Sequence, residues 1–206
     1  MNIKVDSVIL RGDLTKPEIQ SLHGLVIFAH GSGNSRLSPR NRLVTKILQD
    51  NGFATLLIDL LTEDEDKDYN TRFDVGLLAE RLEKVTLWVL ELSDFGSVPI
   101  GYFGASTGAA AVFIAAAQLG SARSVVSLGG RPDMAIGCLR KVDVSTLLLV
   151  GGKDREVVKL NRYTLRELGT KTKELIVVPG ATHLFEEPGT LEQVARHASD
   201  RFQKYL

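Results

Sequence analysis

Cysteine is almost missing from this chain: Cys138 stands alone. One thiol cannot form an internal disulfide, which fits a reducing compartment and an expected cytoplasmic location. Nothing beside Cys138 would lower a thiol pKa, so it reads as a small apolar core residue rather than a nucleophile. Long hydrophobic runs are missing too. Nowhere do the ~18 consecutive apolar residues of a membrane span occur, and the opening MNIKVDSVIL lacks the apolar run and small-residue cleavage site of a secretory signal. Net charge is absent as well. The 25 basic and 25 acidic residues cancel, so no overall field draws the chain to nucleic acid or an anionic membrane, and a small molecule is the expected partner. No repeat, low-complexity tract or Pro/Ser-rich linker divides the 206 residues, and one domain, 1–206, with a sizeable core is expected.

What is present is a series of short apolar runs alternating with amphipathic stretches. Ile3 to Leu10 reads as an opening strand at a sheet edge, followed by a polar connection from Gly12 to Gly24 that contains Pro17. Leu25 to Ala29, Ala54 to Ile58, Val98 to Phe103, Ser124 to Leu128, Thr146 to Val150 and Glu174 to Val178 read as further strands, most of them continuously apolar and so buried on both faces. Between them, Ser38 and Pro39 form an N-cap and first-turn pair ahead of a helical stripe that Gly52 closes. Leu77 to Leu90 marks a long amphipathic helix, Thr107 to Leu119 an alanine-rich one, and Glu156 to Leu168 and the segment around Leu191 to Phe202 two more. Strands separated by helices imply right-handed crossovers and an α/β fold, a mostly parallel twisted sheet with helices on both faces. In such sheets ligands bind beyond the carboxyl ends of the strands.

Four strand ends carry chemistry. The run Ile100 to Ala111 leads through Gly104, Ala105, Ser106, Thr107 and Gly108, a G-x-S-x-G sequence at a strand-to-helix junction, where small residues let a serine oxygen stand out into solvent. Ser106 is the candidate nucleophile. A serine hydroxyl needs a base near neutral pKa, and His183, in the loop after the last strand, can supply it. A carboxylate must then fix the imidazole tautomer and stabilise the imidazolium; Asp154 follows the Thr146 to Val150 strand and is placed for this, with Asp133 and Glu156 as competitors. Negative charge on the reacting carbonyl oxygen calls for backbone donors. The Thr107 amide and the Ser32 amide are the candidates, the latter in the loop His30-Gly31-Ser32-Gly33, where Gly31 and Gly33 let backbone approach substrate and His30 could tether the loop.

Taken together, HGSG, GASTG, GGKD and GATHLFEEPG resemble the dienelactone-hydrolase-like branch of the α/β-hydrolase superfamily from Leu25 onward. The resemblance implies an α/β-hydrolase fold, Ser106, Asp154 and His183 as a triad, and an oxyanion site at Ser32 and Thr107, working without cofactor. Dienelactone hydrolase itself has a cysteine nucleophile where serine stands here, so fold and mechanism transfer better than substrate. The longest insertion on the strand-end side is the acidic loop from Leu61 to Phe73. With little or no lid, small soluble esters or lactones are expected over long lipids.

Arg72 and Arg131 sit in loops on the same edge and could hold a substrate carboxylate, although surface ion pairs are the plainer expectation. His23 is expected exposed and His197 packed. His30, His183 and Asp154 could be drawn as a metal set, yet no two ligands share one element at metal-binding spacing, so no metal is expected. Gly31 and Gly33, with Asp59 ending the next strand, imitate a dinucleotide fingerprint, but Arg36 stands where its third glycine belongs. A hydrolase fold retained as a binding or regulatory module is the non-enzymatic alternative.

Overall fold

The computed structural model describes residues 1–18 and 22–206. Its eight strands, β1 (Asn2–Val5), β2 (Val8–Thr15), β3 (Gly24–Ala29), β4 (Phe53–Ile58), β5 (Ile100–Ala105), β6 (Ala122–Leu128), β7 (Ser145–Gly151) and β8 (Lys173–Val178), join one sheet in the order β1-β2-β4-β3-β5-β6-β7-β8. The pairs from β4 through β8 are parallel, whereas β1 and β2 are antiparallel to their neighbours. Among the described residues four α-helices lie between strands, α1 (Pro39–Asp50), α2 (Val75–Glu91), α3 (Thr107–Leu119) and α4 (Arg155–Glu167), and a fifth, α5 (Thr190–Tyr205), follows β8.

The expected opening strand is in fact a hairpin. Val5 pairs with Val8 across a two-residue turn, Asp6 and Ser7, with Asp6 at φ 49°. Aspartate tolerates that left-handed conformation, but without a glycine the reversal is invisible in an alternating sequence. β2 then runs on into the connection expected from Gly12, whose residues 19–21 lie outside the described residues. β5 starts at Ile100 rather than Val98, since Pro99 has no amide proton to give the ladder.

Alternate residues of the central strands face opposite layers. Leu25 and Ile27 of β3 pack into the core shared with α2 and α3, while Val26 and Phe28 join the core shared with α1 and α5. In that second layer Phe28 stacks on Phe103 at 4.7 Å between ring centroids, worth about 1 kcal/mol beyond burial. α3 is apolar on all sides because it is enclosed: Ala109, Ala110, Ala111, Ala115 and Ala116 are buried, and the small side chains let it lie close to β5 and α2. Ser38 caps α1 by accepting a hydrogen bond from the Asn41 amide, so α1 begins directly after the loop that leaves β3. Cys138 is half-buried on the 3₁₀ helix Pro132–Lys141 and donates to the Ala135 carbonyl; burial pushes its thiol pKa up. No helix among the described residues is long and apolar enough to cross a membrane.

Candidate active site

Only Ser106 separates the last residue of β5 from the first of α3, so the chain must reverse direction within it. It does so at φ 51°, ψ −118°, a region costing a non-glycine residue ~1–3 kcal/mol. The end of β6, the turn after it and the first turn of α3 hold the strain: the Ser106 amide donates to Leu128 O, and Ser106 O accepts from the amides of Ala109 and Arg131. The small neighbours are a matter of distance. A Cβ on Gly108 would lie 2.2 Å from the Ala29 carbonyl oxygen, and one on Gly31 would lie 2.9 Å from Ser106 Cβ. The first explains why α3 can start so close to β3. The second shows that the His30–Gly33 loop rests on Ser106.

His183 and Asp154 arrive from the ends of β8 and β7. His183 Nδ1 lies 2.6 Å from Asp154 Oδ2, and donation by Nδ1–H leaves Nε2 as the basic nitrogen. The two loops are joined by backbone: the Lys153 amide donates to Ala181 O and the Gly152 amide to Val178 O. Gly151 permits this contact, since a Cβ there would lie 2.3 Å from Thr182 O. On the other side Glu187 accepts from the Thr182 amide and hydroxyl, and these contacts hold its pKa below the ordinary carboxylate value. Phe185, buried at φ 53°, completes the turn. The competing acids are engaged elsewhere, Asp133 by Arg131 and Glu156 by Lys159.

Ser106 and His183 line one cavity of about 230 Å³, together with Gly31, Ser32, Asn34, Arg40, Asn41 and Leu184. A larger open depression of about 600 Å³ lies between β8 and α5, with His197 on its wall, and contains none of the strand-end residues. Among the described residues no three His, Cys, Asp or Glu side chains cluster to hold a metal ion.

The structure treats the remaining candidates unequally. The Thr107 amide opens α3 and has no hydrogen-bond partner among the described residues. The Ser32 amide differs from expectation: it donates to Thr107 Oγ1 at 2.8 Å, so in this state it is already engaged. His30 Nδ1 contacts Gly31 O at 2.9 Å, while its buried Nε2 makes no hydrogen bond and has Asp59 Oδ1 at 3.5 Å. Gly33 turns the loop at φ 71°. Asp59, the imitated ribose acid, is bound by the Arg36 amide and guanidinium, each at 2.6 Å. Burial raises its pKa, but His30 and Arg36 outweigh this and hold it below the usual value. Arg131 is bidentate to Asp133 and does not line the cavity. Arg72 bonds Asp66 and lines a smaller space beside Leu60, Leu61 and Thr107. His23 is exposed and His197 only partly buried.

The profile of the dienelactone hydrolase family matches residues 10–206. The chain belongs to the dienelactone hydrolase family. A crystal structure described as a dienelactone hydrolase from Anabaena variabilis is 49% identical, with a TM-score of 0.94 over 100% of this chain and 96% of that one. A Xanthomonas campestris structure described as an α/β serine hydrolase without a lid is 17% identical, TM-score 0.77, over 99% and 93% of the two chains, and shows the shared α/β-hydrolase fold. A curated Mycobacterium tuberculosis protein named "Putative phosphoribosyl transferase" is 54% identical over 196 residues, 95% of this chain and 44% of that protein. The chain thus spans less than half the length of the curated relatives it matches.

Sequence reasoning missed Arg40, Asn34, Asn41 and Leu184. For Arg40 and Asn41 a signal existed: their helix starts a few residues after the HGSG loop, at the same strand end.

Proposed function

We propose that this chain is a serine hydrolase of small carboxylic esters or lactones, working through Ser106, His183 and Asp154. The observation that carries the reading is the 2.6 Å contact of His183 Nδ1 with Asp154, made by a histidine that shares a cavity with the strained Ser106. In the mechanism, His183 Nε2 takes the Ser106 proton as Oγ attacks the carbonyl carbon. Asp154 stabilises the imidazolium. The tetrahedral oxyanion is received by the free Thr107 amide at the positive end of α3, and by the Ser32 amide if it exchanges its bond to Thr107 Oγ1 for one to substrate. Collapse returns the proton to the leaving alcohol, and water repeats the cycle on the acyl-enzyme. A cavity of about 230 Å³ is below the ~300–1,000 Å³ of sites for drug-sized ligands, which favours short acyl groups.

The test is hydrolysis of p-nitrophenyl esters from acetate to palmitate. Short chains are expected to be preferred, with activity lost in Ser106→Ala. Preference for palmitate would remove the small-substrate reading, and full activity in Ser106→Ala would remove the nucleophile.

A further inference from the structure

Directly after β6 the chain turns through Gly129, Gly130 and Arg131, and this turn lies against both Ser106 and His183. The Arg131 amide donates to Ser106 O. Gly129 stands at φ 52°, and a Cβ there would lie 3.4 Å from His183 Cε1. Gly130 is pressed onto other atoms as well: its Cβ would lie 2.2 Å from Ser127 Oγ and 2.7 Å from Ala109 Cβ. A side chain from another element holds the turn. Asn161 of α4, 0% exposed, donates from Nδ2 to Gly130 O at 3.1 Å and to Val157 O of its own helix at 2.8 Å. Both partners are carbonyls, so the NH₂ must face them. Gly130 C=O and Arg131 N–H belong to one planar peptide unit. Fixing the carbonyl therefore fixes the direction of the N–H that Ser106 O accepts.

Stability alone does not account for an asparagine here. Its Oδ1 is buried with no hydrogen-bond partner among the described residues, a mismatch that lowers stability. Its helix starts from Asp154, so the same side chain joins the element that carries the acid to the turn that holds the nucleophile. We propose that Asn161 is a positioning residue for Ser106, which holds the Gly130–Arg131 peptide so that the serine keeps its strained backbone, and which locks that backbone to the helix starting at Asp154. This rests on the hydrolase reading above. Asn161 does not line the cavity, so it touches no substrate and acts through the backbone. Without it, the carbonyl of Ser106 is left to the Ala109 amide of its own helix, and a strained residue relaxes when its surroundings no longer over-determine it. A displaced nucleophile slows attack more than it weakens binding.

The experiment uses two variants and a control. Asn161→Leu keeps the volume and removes the donor. Asn161→Ser retains a hydroxyl that can reach Val157 O one turn back but is too short for Gly130 O. Thr164→Val, the control, removes another buried hydroxyl of α4, one bonded to Leu160 O and away from the turn. On p-nitrophenyl acetate, kcat is expected to fall about tenfold or more in both Asn161 variants with KM changed less than about twofold, while the control keeps its kcat. Wild-type kcat in either folded Asn161 variant, or an equal loss in the control, would overturn the proposal. A second readout needs no turnover. Amide hydrogen exchange should show Arg131 losing protection about tenfold or more in the Asn161 variants, beyond any loss shared by the slowest amides of β5. Unchanged protection of Arg131 would overturn the proposal even where activity falls. If the wild type cleaves no ester while Arg131 is deprotected on loss of Asn161, the hydrolase reading fails and the hold on Ser106 stands.

Discussion

Ser106 occupies a conformation that serine does not choose, held by hydrogen bonds from the end of β6 and from the first turn of α3. Strain of that kind persists only where surroundings over-determine it, and it holds the side chain clear of its own backbone. The proposed dependence of His183 on Asp154 is as local. Asp154→Asn keeps the shape of the pair but can donate to Nδ1, favouring the wrong imidazole tautomer. Turnover should fall about 10,000-fold, measured on a short p-nitrophenyl ester, with the circular dichroism spectrum unchanged; a loss of less than tenfold would move the acid elsewhere. At this scale much of the site was legible, because Ser106, Asp154 and His183 each follow an apolar strand and topology alone sends them to one edge. Arg40 and Asn41 were not, since apolar periodicity reports which face of α1 is buried and says nothing about the polar residues in its first turn. The engagement of the Ser32 amide by Thr107 was equally hidden, being a contact across 75 positions of sequence.

Between elements, the acidic loop after β4 stays largely exposed, as its composition suggests, but is fastened to α2 through Glu65. Arg81, 8% exposed, reaches Glu65 through two short hydrogen bonds and also donates to Leu60 O. Glu65 accepts as well from the Thr62 amide and hydroxyl. The Arg81 guanidinium, with help from Thr62 against the cost of burial, lowers the Glu65 pKa to about 2 from its ordinary value of 4.5. A carboxylate depressed on folding stabilises the fold above its unfolded pKa, and that contribution is lost as pH falls through the folded value. The window therefore runs from about 4.5 down to about 2. Thermal melts should show the wild type more stable than Glu65→Gln at pH 7, with the gap closing across that window. A gap independent of pH would show that the ion pair does not carry it. The attachment is invisible in the sequence because Glu65 and Arg81 are partners across 16 positions, on two different elements. The hairpin of β1 and β2 escaped for a different reason: its turn, Asp6-Ser7, has no glycine to announce it.

Across the whole molecule, one twisted sheet brings the ends of six parallel strands to a single edge. The apolar runs made that sheet and its two-sided cover foreseeable, and among the described residues the reversal of direction lies at the β1–β2 side, away from the strand ends that supply Ser106, Asp154 and His183. The central claim is that this edge activates Ser106 toward acyl chemistry. Its most direct measurement is mass mapping of the adduct formed with a fluorophosphonate probe. The account predicts one adduct, on Ser106, in the wild type and its loss in His183→Ala; a folded wild type that takes no probe, or takes it on another residue, would contradict it.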